Sequence, residues 1–212
     1  MLNQTNPPII LLEGTDCVGK TTIIRQLQNL IPSHNLTKLS GAPGQKDNLY
    51  MRQVYTAATM LFQASHRNTW LIDRYTPSER VYGARYRGLT ADESTHLNWA
   101  EEELSRRNGH IFLVVLDEDV LAQRLAAKAA QFPNENHGDI ATLLEIQKDY
   151  YETVAMDVRI ENKWLVHGEH DLDVICHNIL AAAGLVWEDG VFKMNQIDPD
   201  PAVVERLVPP TI

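Results

Sequence analysis

Short apolar runs alternate along the chain with longer stretches whose apolar residues recur at helical spacing. Ile9-Ile10-Leu11-Leu12 reads as a buried strand with a glycine-bearing loop directly behind it. Thr21 to Ile31 reads as a helix, with Ile23, Ile24, Leu27, Leu30 and Ile31 apolar and Pro32 stopping it. Leu36 to Leu39 is a weak second strand, and Ser40 to Gly44 a loop. Asp47 is placed to cap a helix running to about Arg67, with Tyr50, Val54, Ala58, Leu61 and Phe62 on one face. Trp70-Leu71-Ile72 is the third strand, ending at Asp73, and a helix follows Pro77. Asp92 to Arg107 is the next helix, ending at Gly109. Ile111 to Leu116 is the clearest strand. An alanine-rich helix from Asp119 to Gln131 breaks at Pro133, and Phe132 to Gly138 forms a polar loop. Asp139 starts a further helix, Trp164-Leu165-Val166 is a last short strand, and Asp171 to Ala183 the last helix. The alternation predicts an α/β domain over residues 1–183, with a five-stranded, mostly parallel sheet and helices on both faces. Residues 184–212 differ, with four prolines and several acidic residues, and read as an extended appendage packing on the body.

Composition narrows the function classes. The formal charge of −9 over 212 residues argues against a general nucleic-acid binder, whose affinity rests on neutralising phosphates. It leaves room for a small phosphorylated ligand in a local basic pocket. No apolar run reaches bilayer length, so no membrane partner is expected. Met1 to Pro8 lacks the basic start of a signal peptide, and there are only two cysteines, Cys17 and Cys176. Together these predict a reduced, cytoplasmic protein.

The strongest chemical signal is Gly14-Thr15-Asp16-Cys17-Val18-Gly19-Lys20-Thr21, a G-x-x-x-x-G-K-[ST] match between a strand and a helix. This is the P-loop of the P-loop NTPase fold. Glycines let the backbone curl so that its N–H groups point at phosphate oxygens, and the helix N-terminus adds partial positive charge. Gly14 to Thr22 would therefore hold the phosphates of ATP. Lys20 would reach the β- and γ-phosphates, and the Thr21 hydroxyl would ligate Mg²⁺. Cys17 at a helix start could be a reactive thiol, or a small space-filler in a tight loop.

A second constellation is Asp73-Arg74-Tyr75 with Ser78 and Tyr82 close behind. A carboxylate and a guanidinium at the C-terminal end of a parallel strand face the ligand crevice of such a sheet. Asp73 could hold a water of the Mg²⁺ shell or orient the attacking phosphate, and Arg74 offers a planar fork for a phosphate. With these stretches, and with Leu61-Phe62-Gln63-Ala64, the chain resembles the thymidylate kinase family of nucleoside monophosphate kinases from residue 8 to about 183. Val81-Tyr82-Gly83 to Arg87-Gly88 looks most like phage-encoded relatives. The resemblance implies that Asp16 approaches the 3′-hydroxyl of the acceptor sugar, Phe62 stacks on its base, Arg74 binds its phosphate and Asp73 sits near Mg²⁺. It implies that Tyr82 lies under the sugar and disfavours a 2′-hydroxyl, with Ser78 and Arg67 reading the base edge. Phe62 and Tyr82 read equally as core residues. Members of the family are commonly homodimers through helices, and the resemblance extends that expectation here.

The chain departs from the family at two places. Lys38-Leu39-Ser40-Gly41-Ala42-Pro43-Gly44 lacks the usual arginine and glutamate, which leaves one acceptor-phosphate contact to Lys38, Lys46 or Arg52. His66-Arg67 replaces the usual asparagine-arginine pair, so the acceptor could be dTMP, another pyrimidine nucleotide or one with a modified base. The P-loop carries no arginine, and the resemblance to members built that way implies a lid over residues 128–138 with Lys128 or Arg124 as its cation. A solvated helix face is the other reading of Arg124. The basic group Arg74, Arg80, Arg85 and Arg87 favours an acceptor already carrying phosphate. The rival of the same fold is a nucleoside kinase, with Glu13 the only base near the P-loop strand. A rival of another class is an NTPase switch without an acceptor. His167, His170 and His177 lack zinc-ligand spacing. Glu101-Glu102-Glu103 reads as a solvated helix face.

Overall fold

A computed structural model of the chain describes residues 6–39, 48–65, 67–134, 138–188, 191–194 and 198–208. The Ser40 to Gly44 loop, Lys46, the expected cap Asp47, His66 and residues 135–137 of the expected lid lie outside these. The strands are β1 (Ile9–Glu13), β2 (His34–Lys38), β3 (Thr69–Asp73), β4 (Gly109–Val115), β5 (Asn162–His167), β6 (Leu185–Glu188), β7 (Val191–Met194) and β8 (Val204–Arg206). The helices are α1 (Lys20–Leu30), α2 (Asn48–Ala64), α3 (Thr76–Arg87), α4 (His96–Arg106), α5 (Glu118–Gln131), α6 (Ile140–Met156) and α7 (Leu172–Ala182).

Alternation within the strands builds the two cores. On β1, Ile10 and Leu12 join Leu71, Phe112 and Val114 on one face, covered by α1 and α7 through residues such as Ile24, Leu27, Ile175 and Ile179. Ile9 and Leu11 point the other way with Ile72 and Ile111, under α2, α4 and the end of α6 through Tyr55, Phe62, Leu97, Leu104 and Val154. A strand apolar at every position is the pattern of a sheet buried on both sides.

The main sheet has six strands, not five, in the order β2-β3-β1-β4-β5-β8. The first five are parallel, and β8 pairs antiparallel with β5, Val204 facing Val166. The extra strand comes from the segment expected to be an appendage. It is three residues long and too short to show a period. Val203, Val204 and Leu207 are nevertheless buried, and His167 N donates to the Val203 carbonyl at 3.0 Å. The same segment supplies β6 and β7, which pair antiparallel as a separate two-stranded sheet.

Two helix starts follow the expected capping chemistry: Asp139 accepts from Thr142 N and Asp171 from Asp173 N. At the end of α4 the left-handed turn falls on Asn108 (φ 54°), and Gly109 opens β4 instead, because a Cβ there would lie 2.4 Å from Leu104. No helix among the described residues is long and apolar enough to cross a membrane.

Glu101 is not on a solvated face. It is fully buried and receives the Arg80 guanidinium through two hydrogen bonds, at 2.8 and 2.7 Å, with Arg159 at 3.4 Å. Glu102, its neighbour, is exposed. Removing one partner of a buried ion pair strands the other charge, so Glu101→Ala should cost about 3–5 kcal/mol. Glu102→Ala should stay within about 0.5 kcal/mol. Urea denaturation of the two variants checks the contrast.

Candidate functional site

The C-terminal ends of β1 and β3 frame the site. After Glu13 the chain turns through Gly14 at φ 133°, where a Cβ would lie 2.5 Å from the Val114 carbonyl oxygen. Cys17 (φ 68°) and Gly19 (φ 98°) take further left-handed turns before Lys20 opens α1. The resulting loop curls around the helix N-terminus, which suits it to an anion. Lys20 is buried, and its ammonium donates to the carbonyls of Gly14 at 2.8 Å and Thr15 at 2.6 Å. Burial first, then the nearby Arg74 charge, pushes its pKa down to about 7. Burial pushes the Cys17 thiol up, against the Lys128 charge, which makes it a space-filler in the loop rather than a ready thiolate.

On β3, Asp73 is buried and pairs with Lys38 at 3.2 Å. Arg74 follows with φ 70°, a strained conformation for a residue with a side chain. Two contacts on the strand-to-helix turn impose it. Arg74 N donates to the Leu12 carbonyl at 3.1 Å, and Tyr75 N donates to Glu13 Oε1 at 2.6 Å. The turn aims the Arg74 guanidinium back across the P-loop. Nη2 meets Asp16 Oδ1 at 2.6 Å, Nη1 meets the Tyr150 hydroxyl at 2.7 Å, and Cζ lies 5.0 Å from the centre of the Tyr82 ring. Burial works against the Asp16 carboxylate, but Arg74, Lys20 and Lys128 outweigh it and hold its pKa below the usual range.

A cavity of about 630 Å³ opens over this ground. Lys20, Lys38, Arg74, Arg124 and Lys128 supply the cations of its wall, against Asp16 and Asp73. Thr21 and Thr22 line it as well, while Val18 is core. In a chain of net charge −9, such a local excess of positive charge favours an anionic ligand. Thr21 and Asp73 share the cavity, and the Asp73 carboxylate already holds a cation, the Lys38 ammonium. That oxygen-donor pair fits a hard divalent ion such as Mg²⁺, which binds through few protein ligands.

Other expected site residues lie elsewhere. Phe62 is fully buried in the core, its ring against Trp70 and Tyr75. Arg67 is exposed just before β3, at the opposite end of that strand from Asp73. Ser78 does not line the cavity; its hydroxyl donates to Glu13 Oε2 at 2.5 Å and meets the Tyr150 hydroxyl at 2.6 Å. Tyr82 is half-buried and lies beneath Arg74, its hydroxyl beside the Arg74 and Thr15 side chains. Arg124 is neither a solvated face nor a free lid cation. It bridges the Val18 carbonyl at 3.0 Å and the Gly168 carbonyl at 2.7 Å, joining the P-loop to the turn after β5. Lys128, one helical turn on, carries the charge toward the expected lid. Of the expected arginine group only Arg74 reaches the cavity: Arg80 pairs with Glu101, Arg85 with Glu145 and Asp149, and Arg87 with Glu79. Among the described residues no cluster of His, Cys, Asp and Glu forms a metal centre, and His167 faces Glu169 and Glu205.

Tyr150 is the site residue that the sequence did not reveal. It sits on α6, 76 residues from Arg74, in a stripe that reads only as core.

Gly14→Ala adds a Cβ where the backbone is left-handed and the Val114 carbonyl is already in place. The loop must shift, and a cost of about 1–3 kcal/mol is expected. Thermal melts in the presence and absence of pyrophosphate should show both a lower midpoint and a smaller ligand-induced rise.

No protein-family model matches the chain, and no curated protein matches it in sequence. Solved structures match its fold. The YorR protein of Bacillus subtilis, in complex with phosphorylated GDP, superposes with a TM-score of 0.63 at 19% identity, over 81% of this chain and 93% of that one. Polyphosphate kinase 2 of Arthrobacter aurescens TC1 superposes with a TM-score of 0.62 at 16% identity, over 94% of this chain and 74% of that one. The chain has the α/β fold of the P-loop NTPases.

Proposed function

We propose that the protein is an ATP- and Mg²⁺-dependent deoxynucleoside monophosphate kinase, transferring the γ-phosphoryl of ATP to dTMP or a related deoxynucleotide. The observation that carries this reading is the Arg74 guanidinium. It is a second cationic station in the cavity, held by Asp16 and Tyr150 beside the P-loop cradle. One anionic group fits the cradle at Lys20, and another fits Arg74. In the proposed reaction, an oxygen of the acceptor phosphate attacks the γ-phosphorus and the bond to the β-bridging oxygen breaks, releasing ADP. The attacking oxygen is already an anion, so no general base is needed, and positioning with charge neutralisation suffices. Lys20 and Lys128 neutralise the donor phosphates, Arg74 orients the acceptor phosphate with Tyr82 supporting it from beneath, and Asp16 flanks the sugar. Thr21 and Asp73 would hold Mg²⁺, which supplies charge neutralisation to the phosphate oxygens when bound.

The setting of Glu13 supports this reading over the rival of the same fold. A nucleoside kinase needs a carboxylate free to take a hydroxyl proton. Glu13 is fully buried, and its oxygens already accept from Tyr75 N and the Ser78 hydroxyl. The burial of Phe62 and the distant placement of Arg67 leave base recognition to other residues, so the base is a question for the assay.

The test is a coupled ADP-release assay with ATP, Mg²⁺ and a panel of dNMPs, NMPs and nucleosides. One structure of the same fold is a polyphosphate kinase 2, so polyphosphate enters as an alternative donor. Turnover with one dNMP and none with nucleosides is expected. Turnover with nucleosides alone, or ADP release without any acceptor, overturns the reading. Lys20→Ala should lower the transfer rate about 100- to 1,000-fold, the scale of one lost electrostatic group.

Lys20 also sets a pH dependence. Its pKa is depressed to about 7 in the free protein, so at pH 8 most molecules carry it neutral. A bound triphosphate favours the charged ammonium and raises the pKa again. Binding therefore takes up a proton above pH 7, and affinity should fall up to about tenfold per pH unit between 7 and 9. Calorimetry in buffers of different ionisation enthalpy should register the uptake, and Lys20→Met should abolish it.

A further inference from the structure

Lys38 closes β2 and stands in register with Asp73 at the end of β3. A backbone hydrogen bond from Leu39 N to the Asp73 carbonyl at 3.1 Å fixes the root of the side chain there. The ammonium reaches the Asp73 carboxylate at 3.2 Å. The two partners differ sharply in exposure: 6% for the Asp73 side chain and 55% for that of Lys38. The carboxylate is thus a buried anion that needs a cation, while the lysine is a flexible stem largely in solvent. Exposed lysine pairs are weak, so this cation can leave. Asp73 lines the same cavity as Thr21, and Arg74 is the next residue.

We propose that Lys38 is an exchangeable counter-cation: it neutralises Asp73 until Mg²⁺ takes the carboxylate, and the released ammonium then binds the phosphate of the acceptor beside Arg74. The inference rests on the proposed kinase reading and adds a coupling to it. A divalent ion outcompetes a single ammonium for a buried carboxylate once phosphate oxygens complete its shell. The freed Lys38 charge faces a cavity whose other free anion would be the acceptor phosphate. Metal binding thereby favours acceptor binding, and linkage makes the effect reciprocal. Lys38 acts on the metal through Asp73 and is a positioning residue in that role. In the second role it touches substrate.

Two variants test this: Lys38→Met keeps the stem and removes the charge, and Lys38→Arg keeps the charge. Calorimetry first gives ADP affinity with and without Mg²⁺. The gain from Mg²⁺ should be severalfold larger in Lys38→Met than in the wild type, with Lys38→Arg close to wild type. Next, the deoxynucleotide that the panel assay turns over is titrated into the protein–ADP complex, again with and without Mg²⁺. Wild type should gain about 5- to 20-fold in acceptor affinity from the metal, within the usual range of coupling between sites. Lys38→Met should gain less than twofold. An unchanged Mg²⁺ effect on ADP affinity in Lys38→Met, or an undiminished metal-dependent gain for the acceptor, overturns the proposal. Failure of the kinase reading appears separately, as a wild-type protein that binds no ADP or turns over no acceptor.

Discussion

The Glu13 carboxylate ends the central strand with both oxygens engaged, one by the Tyr75 amide and one by the Ser78 hydroxyl. A carboxylate without exposed surface is tolerated only when its hydrogen bonds are made. Burial raises its pKa, while Ser78, Arg74 and Tyr75 pull in the other direction. Meeting those demands fixes the start of α3 against the end of β1. The intervening residue, Arg74, must then adopt φ 70°. Its guanidinium is consequently delivered to Asp16 in the P-loop and Tyr150 on α6. One buried anion thus ties together strand, loop and two helices, and the polar part of the site hangs from it.

The same economy of charge explains why an acidic chain has a basic cavity. Arg80, Arg85 and Arg87 are consumed locally by Glu101, Glu145, Asp149 and Glu79. The Arg80 and Arg85 pairs hold α3 against its neighbours α4 and α6, the Arg87–Glu79 pair lies within α3, and all of them add little net field. In the cavity wall the cations outnumber the carboxylates, and a low-dielectric floor concentrates their potential. Counting arginines near Arg74 in the sequence could not separate structural from ligand-facing charges. The partners of Arg80 and Arg85 come from α4 and α6, outside the helix that carries the arginines.

What could be read from the sequence was whatever is local. β1, the P-loop and α1 follow one another within 22 residues, and each supports the next: an apolar strand, glycines where φ is positive, an amphipathic helix. The helix starts at Asp139 and Asp171 were equally local. The misses share a dependence on distant partners. β8 exists because β5 offers an unpaired edge, and three residues carry no period. Glu101 is buried because Arg80 reaches it, although its two glutamate neighbours suggest solvent. Phe62 read equally as core and as a base-stacking residue, and Trp70 and Tyr75 enclose it in the core. Arg124 read as a lid cation or as part of a solvated face, whereas it lines the cavity with its guanidinium on the Val18 and Gly168 carbonyls.

The cavity's own pairings say how a ligand must enter. Lys20 rests on two backbone carbonyls, Arg74 on Asp16 and Lys38 on Asp73. Each of these three cations is already held by oxygen, so an incoming phosphate replaces one set of oxygens with another. The cations are thereby kept close to where anionic oxygens are wanted, and little reorganisation remains for the moment of binding. The exchange also discriminates. A neutral hydroxyl offered to Arg74 would displace a carboxylate without matching its charge, leaving Asp16 and the guanidinium both undercompensated. A phosphate matches it and exceeds it. On the proposed function, the preference for an acceptor that already carries phosphate follows from what Arg74 must give up to receive it.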